Sequence, residues 1–327
     1  MASATEVSPV EKYLQLPDGR TLAYSDNGNP SSSCLVIFFH GAFGVGNASH
    51  LQPILIEKDV HFIAPTLPGW GSSSPRNKVV PFHVSLASDI SYLIKQLHPR
   101  DENLRIYIAG GSFGTVPAQI LYGASFDIFP HGRDIKGCMV LAPFSPFKLH
   151  KGYAKTMTTP NYMAVGPPTQ YIPFHLLPRL SSFYMKGKLQ SVEDAEVFVR
   201  EKLFDTMQAE EKDAFNKWKE DHGKQEGEVE REFAGNMVRS VAKTWDGYLE
   251  IADVIHGDWG FKPDALDEEH TRRPILIVGS EGDTMAPDAM AKWLAATYKN
   301  AHLRSINGGH LAALFHLNNL WKELLEL

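Results

Sequence analysis

Residues 104–122 read Leu104-Arg105-Ile106-Tyr107-Ile108-Ala109-Gly110-Gly111-Ser112-Phe113-Gly114-Thr115-Val116-Pro117-Ala118-Gln119-Ile120-Leu121-Tyr122. An apolar run, Leu104–Ala109, enters a glycine-rich turn and leaves as a helix-forming segment, Thr115–Tyr122, which tolerates Pro117 only within its first turn. Gly110-Gly111-Ser112-Phe113-Gly114 has the pattern G-x-S-x-G at that junction. A sharp strand-to-helix turn strains the backbone of its central residue, so the residues packed around it must be small. Gly110 and Gly114 meet that demand, and Gly111 is expected to relax it further. The turn aims Ser112 at a helix N-terminus, where unpaired N–H groups favour developing negative charge. Ser112 is therefore the candidate nucleophile; the competing reading, a glycine-rich turn with an incidental serine, leaves the flanking strand and helix unexplained.

Working outward, short apolar runs alternate with helical patterns, the rhythm of a parallel sheet flanked by helices. Residues 12–16 and 20–24 flank Pro17-Asp18-Gly19 and read as an antiparallel hairpin. Leu35–Phe39 and Val60–Ala64 are continuous apolar runs, expected of strands covered on both faces. Leu86, Ile90, Leu93, Ile94 and Leu97 fall at helical spacing, with Ser85 as the expected N-cap. Gly137–Ala142 is a further strand that stops at Pro143. From about 144 to 273 no buried strand is evident. Residues 143–178 are rich in Pro, Tyr, Phe and Met, and 191–255 show charged helical patterns opening at Ser191-Val192-Glu193-Asp194. Gly223–Glu232 is polar enough to be an exposed turn or helix end. The strand pattern resumes at Pro274–Gly279, followed by a helix over 288–298, a strand at His302–Ile306 and a C-terminal helix from about Leu311. There are no internal repeats. The expected organisation is an α/β core, a mostly parallel sheet flanked by helices, from residues 1–143 plus 272–327, interrupted by a helical cap over 144–271.

The 327 residues are 43% hydrophobic and 21% charged, the balance of an ordinary globular chain. With a net charge of −6 and no basic run, nucleic acid is excluded as an expected partner. Cys34 and Cys138 lie in separate apolar runs and read as small core residues rather than a disulfide. The stretch Met1–Lys12 lacks the apolar segment of a secretory leader, and no run is long enough for a membrane span, so a cytoplasmic location is expected. Composition leaves the oligomeric state open.

A serine needs a base, and the base needs an acid to fix its tautomer. His310, in Asn307-Gly308-Gly309-His310, follows the last apolar strand, and Asp283, in Gly279-Ser280-Glu281-Gly282-Asp283, follows the strand before it. Both are expected at the carboxyl edge of the sheet, where open α/β sheets place their sites. Glu281 and Asp288 are the rival acids, although Asp288 is better suited to a helix start. His40-Gly41-Ala42-Phe43-Gly44 follows the strand Leu35–Phe39, and the backbone N–H groups of Ala42 and Phe113 are the expected oxyanion donors. His40 itself is expected to shape this loop rather than to move protons.

These segments together resemble the α/β-hydrolase superfamily over nearly all of the core. The features shared are the His40-Gly41 loop, the Pro68-Gly69-Trp70-Gly71-Ser72 turn, the glycine-flanked Ser112, the segment Asp283-Thr284-Met285-Ala286-Pro287 and the Gly308-Gly309-His310 end. Trp259-Gly260-Phe261 also resembles a stretch common in capped members. Two positions depart from the pattern. Thr66 stands before Leu67-Pro68-Gly69 where many members carry Asp, and Ala42-Phe43-Gly44 stands where proline iminopeptidases, which share the GGSxG turn, carry Gly-Pro-Gly. The resemblance implies a Ser112–His310–Asp283 triad and acyl chemistry on a small-molecule substrate: an ester or lactone, with aminopeptidase or amidase activity, or a slow-turnover ligand receptor, as the alternatives. The relatives that attack through aspartate are set aside by Ser112. No cofactor is implied. There is no H-E-x-x-H string, and His256-Gly257-Asp258 is too sparse for a metal-ligand set. The cap carries Tyr153, Tyr162, Met163, Tyr171, Phe174, Phe183, Tyr184 and Met185, residues that pack its own core or face the substrate. Phe43, Tyr162, Phe174 and Tyr184 are the expected substrate contacts. The mixed charge between Glu193 and Glu232 reads as a solvated helix surface rather than a membrane-docking one.

Overall fold

The computed structural model describes residues 10–99 and 103–327; residues 1–9, most of the stretch read as lacking a leader, lie outside the described residues. Eight strands form one sheet: β1 (Lys12–Gln15), β2 (Thr21–Gly28), β3 (Cys34–Phe39), β4 (His61–Pro65), β5 (Arg105–Gly111), β6 (Ile135–Leu141), β7 (Ile275–Ser280) and β8 (Ala301–Ile306), in the spatial order β1-β2-β4-β3-β5-β6-β7-β8. The β1–β2 hairpin joins antiparallel to β4, and every later pairing is parallel. The fold is that of an α/β hydrolase.

The apolar runs are continuous because each strand is covered on both faces. Along β3, Leu35, Ile37 and Phe39 enter one hydrophobic cluster while Cys34 and Val36 enter another, the alternation a pleated strand requires. The same split places Ile275 and Ile277 of β7 on one face and Leu276 and Val278 on the other. Helices α1 (Pro53–Glu57), α2 (Phe82–Leu97) and α3 (Thr115–Gly123) precede β6. Cys34 and Cys138 are free and buried.

Between β6 and β7 the chain is helical: α4 (Thr159–Val165), α5 (Pro168–Tyr171), α6 (Leu176–Lys188), α7 (Val192–Val199), α8 (Ala209–Asp221), α9 (Glu228–Val241), α10 (Asp246–His256) and α11 (Glu268–Thr271), with no strand among the described residues. Phe204, Phe215, Val229 and Met237 of this insertion belong to the same apolar cluster as Ile37 and Phe39 of the sheet. The core is thus continuous across the insertion. Helices α12 (Asp288–Thr297) and α13 (Leu317–Glu326) complete the chain. No described helix is long and apolar enough to cross a membrane.

Several expected boundaries move. α2 begins at Phe82 behind Pro81, and Ser85 is buried inside the helix rather than capping it, because proline fixes the entering backbone first. In the polar stretch 223–232, expected to be an exposed turn or helix end, residues 228–232 form the first turn of α9, where Lys224 folds back to pair with Glu228 and Glu232. A single-turn helix, Ala312–His316, intervenes before α13 starts at Leu317. At Ser191 the expected cap is present: its hydroxyl accepts from the Asp194 N–H at 3.0 Å. Ser191→Ala should lower the unfolding free energy by about 1 kcal/mol, measured by urea denaturation; an unchanged midpoint would show that the bond carries no stability.

Candidate active site

β5 ends at Gly111, and Ser112 takes φ = 53°, a left-handed conformation that costs a residue with a Cβ. Ser112–Gly114 form a single helical turn that runs into α3, so the N–H of Phe113 lies where a helix has no internal acceptor. The space around the turn explains which glycines it needs. A Cβ on Gly110 would lie 2.1 Å from the Gly114 carbonyl oxygen, and one on Gly114 would lie 2.2 Å from that of Phe39. Gly111 differs from expectation: it is extended, and a Cβ there would meet nothing closer than 3.9 Å. Its glycine is not required by the turn.

The strand register brings the other segments to the same edge. Phe39 pairs with Gly110 across β3 and β5, so the loop after β3 starts beside Ser112. A Cβ on Gly41 would lie 3.2 Å from Ser112 Cβ. Asp283 follows β7 and His310 follows β8, and the two meet: His310 Nδ1 lies 2.8 Å from Asp283 Oδ2. The other oxygen of Asp283 accepts the N–H groups of Met285 and Ala286, at 2.7 and 2.9 Å. The carboxylate is buried with both oxygens occupied, an arrangement that fixes its orientation. With Nδ1 engaged, Nε2 is the nitrogen left to take a proton. Among the described residues no hydrogen bond joins Ser112 Oγ to His310; such bonds often tighten only when substrate is present. Glu281 is exposed, and Asp288 sits at the start of α12 paired with Lys292 at 2.6 Å, so neither rival acid reaches His310.

His40 is buried and fully engaged within its loop. Its Nε2 accepts the Leu67 N–H at 2.9 Å, which requires that nitrogen to be unprotonated, and Nδ1 therefore donates to the Gly41 carbonyl at 2.7 Å. Burial holds its proton affinity down, to a pKa of about 4. Thr66, at the position that departs from the family pattern, is buried and accepts the Gly46 N–H at 2.9 Å, tying the end of the β3 loop to β4. Ala42 is exposed on this loop, while Phe43 takes φ = 57° and packs on Tyr248 with ring centroids 4.9 Å apart, next to Trp70 and Trp245.

Of the other expected contacts, Phe174 and Tyr184 turn most of their surface to solvent, and Tyr162 is partly exposed. Trp245 and Tyr248, which do flank Phe43, went unread in the sequence, where their only signal is a pair of aromatic residues at the start of α10. A second unread residue is Glu211 of α8. It is 3% exposed, accepts the Gly309 N–H at 2.8 Å, and lies close enough to Asp283 and His310 for their charges to act on it; burial raises its pKa. Its neighbour Glu210 accepts from Asn307, so the insertion grips the loop that carries His310 at two points.

The model of the alpha/beta hydrolase family matches residues 36–319. Solved structures with similar folds include a bromoperoxidase from Bacillus anthracis, 15% identical, covering 97% of this chain and 100% of that one at a TM-score of 0.61. An esterase from Exiguobacterium antarcticum is 15% identical, with 96% and 98% coverage and a TM-score of 0.59. An esterase from Rhodococcus sp. is 14% identical, with 97% and 99% coverage and a TM-score of 0.56. No curated protein matches the chain.

Two measurements test this geometry. Gly114→Ala, which drives a methyl into the Phe39 and His40 carbonyls, should cost about 1–3 kcal/mol, whereas Gly111→Ala should leave the melting temperature near wild type; equal effects would refute the steric account. His40, neutral and of lowered pKa when folded, contributes stability that is full above the ordinary histidine pKa of 6.5 and is lost as pH falls towards about 4. That loss is of order 3 kcal/mol, so thermal melts from neutral pH down to about pH 4 should fall more steeply for wild type than for His40→Asn. Parallel curves would show that the ring is not held neutral.

Proposed function

Because the chain belongs to the alpha/beta hydrolase family, we propose that it is a serine hydrolase cleaving an ester or lactone of an apolar or aromatic small molecule. The observation that carries this reading is the left-handed Ser112 at the end of β5, on the same sheet edge as a His310–Asp283 pair already joined through Nδ1. A nucleophile, a base and an acid in these positions match the requirements of acyl transfer. Ser112 Oγ attacks the carbonyl carbon as His310 Nε2 accepts its proton, and Asp283 stabilises the imidazolium. The N–H groups of Ala42 and Phe113 receive the oxyanion. The tetrahedral adduct collapses with cleavage of the C–O bond, and His310 passes its proton to the departing alkoxide. Water, deprotonated by His310, then attacks the acyl-Ser112 ester; the second adduct releases the acid and returns the proton to Ser112.

In this reading the helical insertion is the cap that selects substrate, and the aromatic group of Phe43, Trp70, Trp245 and Tyr248 supports an apolar acyl or alcohol portion. The structural neighbours described as esterases support ester chemistry by analogy of fold.

A fluorophosphonate probe should label the wild type and leave Ser112→Ala unlabelled; equal labelling would remove Ser112 as nucleophile. On p-nitrophenyl esters, Asp283→Asn should lower kcat by about three to four orders of magnitude with an unchanged melting curve, while Glu281→Gln stays near wild type. The opposite ranking would assign the acid to Glu281.

A further inference from the structure

Helix α6, Leu176–Lys188, is apolar on two sides. Pro178, Ser182 and Met185 face inward and are buried, with Met185 in the main core cluster. Leu176, Leu180, Phe183 and Tyr184 recur at the spacing of a single helical face on the outside, and Leu180 and Phe183 are 59% and 80% exposed. The turn before α6 adds Phe174, 82% exposed, and α5 adds Tyr171, 83% exposed. Phe174 and His175 both hold left-handed backbones there, a strain carried by a turn that leaves a phenylalanine in water. Single exposed apolar residues need no explanation, but a continuous face of this kind marks a contact surface.

Charge indicates what covers it. The chain as a whole is acidic, yet between Asp134 and Glu193 it contains no aspartate or glutamate, while Lys148, Lys151, Lys155, Arg179, Lys186 and Lys188 all fall in that interval. On α6 itself, Arg179 and Lys186 are exposed among the aromatic residues, and among the described residues none of Arg179, Lys186 and Lys188 forms an ion pair. Asp253 of α10 does reach His175 at 3.5 Å, so acidic groups border the face without lying on α6. Apolar and aromatic side chains interleaved with basic ones are suited to the boundary of an anionic bilayer, where the rings enter the headgroup layer and the cations meet lipid phosphates and carboxylates. The charged, mixed-sign helices that follow Glu193, where such a role was sought in the sequence, are not the segment that has this pattern.

We propose that α5, α6 and the turn between them form a docking face for an anionic lipid surface. This face borders the candidate site: Asn161 of α4, the helix packed beside α6, donates to the Thr284 carbonyl next to Asp283, and Ser181 of α6 bonds Tyr248, which packs on Phe43. Lipid binding is independent of the proposed chemistry, so it is tested in Ser112→Ala, where no turnover alters the vesicles.

In vesicle flotation, the Ser112→Ala protein should rise with phosphatidylcholine vesicles containing phosphatidylserine, bind pure phosphatidylcholine more weakly, and release as salt is raised. Adding Leu180→Ser and Phe183→Ser should lower the affinity at least tenfold without changing the melting curve, because both side chains are exposed. Arg179→Gln and Lys186→Gln should each cost about fivefold on anionic vesicles only. As a second arm that leaves the face apolar, a tryptophan placed by Phe183→Trp should add fluorescence that brominated lipid quenches. Failure to float at low salt, undiminished binding of the serine double variant, or an unquenched new tryptophan each overturns the proposal. A concentration-dependent dimer that Leu180→Ser and Phe183→Ser dissociates would assign the face to a second copy and likewise overturn it.

Discussion

At the carboxyl end of β5 a serine is held at φ = 53°, and the packing around that turn dictates much of the surrounding architecture. A left-handed residue with a Cβ survives only where its surroundings over-determine the backbone. Here they do so by close approach: Gly110 lies against the Gly114 carbonyl, and Gly114 lies against the carbonyls of Phe39 and His40. These contacts require β3 to be the parallel neighbour of β5, in the register that pairs Phe39 with Gly110. They also place Gly41 against Ser112 Cβ, so the loop proposed to receive the oxyanion is positioned by the same packing that strains the proposed nucleophile.

Buried polar groups complete the arrangement, and most of them act on loops. His40 ties Gly41 to Leu67, Thr66 holds Gly46, and Asp283 binds two backbone N–H groups as well as His310. Each bond satisfies a group that would otherwise be costly to bury. The exception in kind is Glu211, a carboxylate supplied by the insertion and buried beside another carboxylate, which accepts from Gly309. With Glu210 on Asn307 and Asn161 on Thr284, the insertion touches the loops of both His310 and Asp283. Its apolar residues also merge with those of the sheet. The insertion is therefore bonded directly to both loops of the candidate site.

Much of this was legible from residue order. Strands covered on both faces need apolar residues at successive positions, so β3, β4, β5 and β7 stand out as continuous runs, and Ser112, Asp283 and His310 each follow one of the sheet's strands. Boundaries were less legible where two local signals competed, as at Pro81 and Ser85, since the proline constrains the backbone whichever residue offers a hydroxyl. Gly111 illustrates the limit of reading glycines in series: three surround Ser112 on the chain, yet only close approach in space distinguishes Gly110 and Gly114 from it.

The sequence by itself determined the alternation of strands and helices, the serine turn and the order of the three candidate catalytic residues, because these depend on short-range periodicity and backbone sterics. Only the tertiary structure decided which acid meets His310, that His40 is a locked neutral ring, that Glu211, Trp245 and Tyr248 converge on the site, and that Phe174 and Tyr184 face solvent. Those outcomes depend on contacts between segments far apart in the chain. A helix such as α6, apolar on two sides, does not reveal in its sequence which side the rest of the protein will cover.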